Sequence, residues 1–74
     1  METNREKFVR LAENRVNNAI KTLRLIGNLS NQSNYSYNQE DIDRIFKALE
    51  TELRNAKTRF NSGTKKENDL FSLD

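Results

Sequence analysis

Eleven carboxylates, a scatter of Ser, Thr and Tyr hydroxyls and thirteen Lys and Arg side chains are the reactive groups of this chain, which has neither His nor Cys. Hydrolysis by two carboxylates needs a pair held in a pocket, with one desolvated so that it stays protonated. The acids here fall on solvated helical faces, with a basic residue four positions on: Glu6–Arg10, Glu40–Arg44, Asp43–Lys47 and Glu50–Arg54. That spacing stabilises a helix and leaves these acids on its solvated face. A Ser, Thr or Lys nucleophile needs a neighbouring base, and His, the usual one, is missing. Two glycines are too few for a phosphate-cradling loop. Without His or Cys, a transition-metal site would depend on carboxylates alone, and none are suitably clustered. The expectation is therefore a protein that is not an enzyme and uses no cofactor or metal.

The elements that carry these groups read as two helices. Over 4–27, Phe8, Val9, Ala12, Val16, Ala19, Ile20, Leu23 and Ile26 share one face at about 100° per residue. The 9-12-16-19-23-26 spacing is a heptad seam, the pattern of a helix packed lengthwise on another. Gly27-Asn28 suits a stop in left-handed backbone. The second helix covers 39–61. Asn38 is its N-cap, Asp41 sits at the capping-box position, and Tyr37 is placed to staple onto Ile42. Its stripe is Ile42, Ile45, Phe46, Leu49, Leu53, Ala56 and Phe60. Acids crowd its first turns and bases its later turns, as the helix dipole favours. The connection 28–38 is rich in Asn and Ser, which favour turns. Phe60-Asn61-Ser62-Gly63 marks the helix end, and 62–74 is left as a flexible tail.

The fold expected is all-α: an antiparallel two-helix hairpin over 1–61. With a stripe left half covered on each helix and no disulfide or metal to staple it, so small a core needs help. Dimerisation into a four-helix bundle supplies it. Leu23, Leu49 and Leu53 are the central interface candidates. Leu11, Asn18 and Leu25 form a second heptad-spaced line on the opposite face of helix 1, and are assigned to the dimer interface with them.

Charge is unevenly spread along a chain of net charge +2. Residues 1–27 are mainly basic, 39–52 mainly acidic, and 53–66 carry Arg54, Lys57, Arg59, Lys65 and Lys66 with no acid. Arg10, Lys21 and Arg24 lie nearly on one flank of helix 1 and could contact phosphates, which makes nucleic acid an alternative partner. Tyr35 and Tyr37 could stack on bases, although Tyr37 is already used as a staple and Tyr35 suits the end of the bundle. No signal-peptide pattern opens the chain and no stretch is long and apolar enough to span a membrane. Cytoplasmic location is the expectation, and the three Asn-x-Ser sequons at Asn28, Asn31 and Asn34 then have no glycosylation meaning.

The chain ends Glu67-Asn68-Asp69-Leu70-Phe71-Ser72-Leu73-Asp74. Apolar residues at the tip of a polar tail either fold back onto the bundle or serve as a docking peptide. Glu67 to Phe71 resembles the short motif by which bacterial polymerases and repair proteins dock on the DNA sliding clamp. In that motif a Leu-Phe or Met-Phe pair fills a hydrophobic cleft, and a leading Gln makes a polar contact. Glu67 stands in the Gln position here. Leu70 to Asp74 also satisfies the clathrin-box pattern. A small, Lys- and Asn-rich helical chain of this outline resembles phage- or plasmid-encoded regulators. Among these are phage sliding-clamp inhibitors, which block host replication, and the Rop-type RNA-binding hairpin, a dimeric four-helix bundle.

The resemblance implies a host protein as partner, with the replication clamp as its candidate, and inhibition as the function. Two contact routes follow. Asp69, Leu70, Phe71 and Leu73 could enter the cleft. Alternatively, the acidic start of helix 2 (Glu40, Asp41 and Asp43, with Glu50 and Glu52 beyond) could face the basic lining of the ring. A dimeric nucleic-acid-binding regulator is the second reading, and an assembly subunit of a mobile element the third.

Overall fold

The computed structural model describes the backbone of residues 1–73 and the side chains of residues 1–62. It is all-α, with α1 at Asn4–Asn28 and α2 at Gln39–Leu73. No strand occurs among the described residues. The chain divides into two units, Met1–Ser36 and Tyr37–Asp74.

In the first unit, α1 starts on a reciprocal cap that the i,i+4 reading of Glu6 overlooks. The Glu6 N–H donates to Thr3 Oγ1 at 3.0 Å, and the Thr3 N–H donates to Glu6 Oε1 at 2.9 Å. Two backbone donors that the helix leaves unpaired are satisfied at once. The Thr3 backbone N–H, and after it the Thr3 hydroxyl, hold the Glu6 carboxyl below its ordinary range. Glu6 is therefore not the partner of Arg10. The Arg10 guanidinium reaches back to Glu2 instead, through Nε at 2.8 Å and Nη2 at 3.0 Å. A two-pronged contact on one carboxylate is the geometry that suits a planar guanidinium best.

The other end of α1 lies one residue beyond the expected stop and uses different geometry. No described residue has positive φ, so Gly27 is an ordinary helical residue and not a left-handed terminator. Leu29, the C-cap, is right-handed at φ −70°, ψ −7°. The helix tightens into a turn in which the Leu29 N–H donates to the Ile26 carbonyl at 3.0 Å and the Ser30 N–H to that of Gly27 at 3.1 Å. Bonds of this shorter span are a common way to use the last carbonyls. Asn31 then organises the connection. Its side chain accepts from the Ser33 N–H at 3.0 Å, and its carbonyl accepts from Asn34 at 3.1 Å and Tyr35 at 3.0 Å. An Asn supplies the turn with a local acceptor, as its residue type leads one to expect.

In the second unit, α2 begins as its sequence indicates. The Asp41 N–H donates to Asn38 Oδ1 at 2.8 Å, and the Asn38 N–H donates to Asp41 Oδ2 at 3.0 Å. Tyr37 and Ile42 are both half-buried. The Glu40–Arg44 pair closes at 2.8 Å, while Asp43 accepts from the Gln39 side-chain amide at 2.9 Å. Among the described residues Asp43–Lys47 and Glu50–Arg54 do not close as ion pairs. The backbone of α2 continues to Leu73, past the end that the sequence places near Asn61. A single internal Gly costs a helix only about 1 kcal/mol, and no Pro follows to break it. The side chains of 63–74, on which the expected tail falls, lie outside the described residues.

Removing either cap isolates its contribution. Thr3→Ala and Asn38→Ala should each cost about 1 kcal/mol, read as lowered thermal stability by circular dichroism. Because the folded pKa of Glu6 is depressed, its contribution is present above the unfolded pKa and lost as pH falls through the folded one. Helicity should therefore fall on acidification, and less so in Glu6→Gln, which keeps the cap bonds without a titrating group. At Gly27 an added Cβ would meet nothing within 4 Å. Gly27→Ala should thus stabilise α1 by roughly 0.4–1 kcal/mol, seen as a higher melting temperature; a lower one would show that the position needs glycine.

Candidate functional site

The surfaces available to a partner are two apolar stripes and what charge remains beside them. No side chain among the described residues is buried. Along α1, Val9, Ala12 and Ile26 are half-buried, while Phe8 (49%), Val16 and Leu23 are exposed. Along α2, Ile42 and Leu49 are half-buried, and Ile45, Phe46, Leu53 (59%) and Phe60 (65%) are exposed. Periodicity alone placed these residues on common faces, and each helix keeps them there because 3.6 residues make a turn.

The second line of α1 is less uniform. Leu11 is half-buried and Leu25 is exposed at 65%. Asn18, between them, offers its backbone carbonyl to the Thr22 hydroxyl at 3.0 Å. The N-terminal end of the main stripe carries a contact the sequence reading did not raise: the Arg5 guanidinium lies over the Phe8 ring, 5.8 Å from its centroid. The Arg5-x-x-Phe8 spacing is the signal, since residues three apart are neighbours on a helix.

The charged candidates divide into engaged and disengaged groups. Glu40 pairs with Arg44, Asp41 closes the cap and Asp43 holds Gln39. These acids first serve the helix start, where the dipole favours negative charge. Glu50 and Glu52 are exposed and make no ion pair among the described residues. On the basic flank, Arg10 is held by Glu2, which raises its guanidinium pKa further, whereas Lys21 and Arg24 are exposed without an ion pair among the described residues. The candidates Asp69, Leu70, Phe71 and Leu73 lie outside the described side chains. The described residues hold no group of three carboxylates, His or Cys arranged for a metal ion, and no helix among them is long and apolar enough to cross a membrane.

This division sets what the flank could do on phosphate. With Lys21 and Arg24 alone available, nucleic acid should be bound weakly, with a log–log salt slope of about −2 on duplex DNA. Glu2→Gln frees Arg10 and should steepen that slope by roughly one. Gel retardation across a salt series checks it. Tight binding with a steep slope in the unaltered chain would make phosphate the main ligand.

Comparison of the chain with protein-family models, with curated proteins and with solved structures finds no match.

Proposed function

We propose that this chain is a non-enzymatic binding module that inhibits or regulates a partner protein by occupying it, with the bacterial DNA sliding clamp as its candidate target in the cytoplasm. The feature that carries the reading is the apolar Leu70-Phe71 pair within an otherwise polar run, Glu67 to Phe71, of docking-motif type. The clamp is named by the resemblance of Glu67 to Phe71 to its docking motif. The local commitments of Glu40 and Asp41 favour the Leu70-Phe71 route over the acidic one, because docking through those two acids would have to compete with their pairing and cap bonds. A Rop-type nucleic-acid regulator is the alternative, resting on Lys21 and Arg24.

The test is binding of the full chain to immobilised sliding clamp, followed by calorimetry. Burial of Leu70 and Phe71 contributes roughly 1.5–3 kcal/mol each before ordering costs. Leu70→Ala with Phe71→Ala should therefore weaken binding tenfold or more while helicity is unchanged. Full affinity with lowered stability would sink the docking peptide, and absence of any clamp binding would remove the clamp as target.

A further inference from the structure

We propose that the apolar stripes are covered by a second copy of this chain, with α1 of each copy antiparallel to α2 of the other in the register that sets Ala12 opposite Ala56. The first support is stripe width. At about 100° per residue, the α1 stripe spans an arc of about 120° and the α2 stripe about 100°. A seam for one neighbouring helix is narrower than either; arcs of this width belong to helices that touch two neighbours in a bundle. A chain of 74 residues with no buried side chain among those described has an evident source for the further helices in another copy of itself.

The charges beside the stripes supply the second, independent support, and they choose both direction and register. Glu13 and Arg24 border one edge of the α1 stripe, and Arg15 borders the other. Lys57 borders the corresponding edge of the α2 stripe and Glu52 its other edge, while Asp43, which accepts from Gln39 through Oδ1 and keeps Oδ2 for a further donor, lies farther out on the Lys57 side. When two helices run antiparallel, corresponding edges face each other. With Ala12 opposite Ala56, Glu13 meets Lys57, Arg24 meets Asp43 and Arg15 meets Glu52, each within about 3 Å of strict register along the axis. All three are opposite in sign. A parallel alignment of the same stripes would set Glu6 beside Asp41 and Arg24 beside Arg59, with Arg15 and Glu50 as its one attraction. The same antiparallel register lines Leu23 up with Ile45 and Ala19 with Leu49, so that apolar stripe residues meet in these layers as well. A two-fold axis repeats every pairing, so one complementary set serves twice. This arrangement uses Leu23, Leu49 and Leu53 and leaves the Leu11–Asn18–Leu25 line outside the core.

Sedimentation equilibrium of the full chain should give twice the chain mass at micromolar concentration. Arg24→Glu should weaken the dimer by roughly threefold or more, and Asp43→Arg added to it should restore the affinity. Because the chain has no cysteine of its own, register can be read directly. Ala12→Cys and Ala56→Cys proteins, mixed and oxidised, should yield the mixed disulfide in preference to either symmetric one. A single-chain mass throughout the concentration range overturns the proposal, as does a dimer in which only identical positions cross-link.

Discussion

Unpaired backbone N–H groups at a helix start are the constraint on which the rest of this protein depends. Within one helix the first turn fixes several residues before it gains a bond, so nucleation is the costly step. Both helices meet the constraint in the same way. Thr3 with Glu6, and Asn38 with Asp41, each satisfy two donors reciprocally. A cap of this kind fixes the first turn, and from there every added residue gains a hydrogen bond.

The caps also determine which charges remain for anything else. Glu6 and Asp41 close them, Glu40 and Asp43 make local bonds in the first turns of α2, and Glu2 takes Arg10. Electrostatics near each helix start is thus largely internal. Further along, Lys21, Arg24, Glu50 and Glu52 make no ion pair among the described residues. Exposed ion pairs contribute little stability individually.

Much of this was legible in the residues. The period of the apolar positions identified both helices, and Asn38-x-x-Asp41 identified the start of α2, because these patterns depend on geometry within one or two turns. Thr3-x-x-Glu6 carried the same signal as clearly. Glu6 also has Arg10 four residues on, and spacing alone does not rank two partners for one carboxylate. The structure ranks them: the cap bonds come from backbone donors that have no other partner, whereas Arg10 has Glu2.

The sequence by itself determined the all-α class, the two stripes, the start of α2 and the turn-forming character of the connection, all properties of neighbours along the chain. The three-dimensional structure decided what competing local options left open. It kept Gly27 in right-handed helix, since glycine permits either hand and only the path of the following turn selects one. It gave the turn to Asn31 among several Asn and Ser residues. It carried the α2 backbone past Gly63 to Leu73, because a glycine weakens a helix without forbidding it.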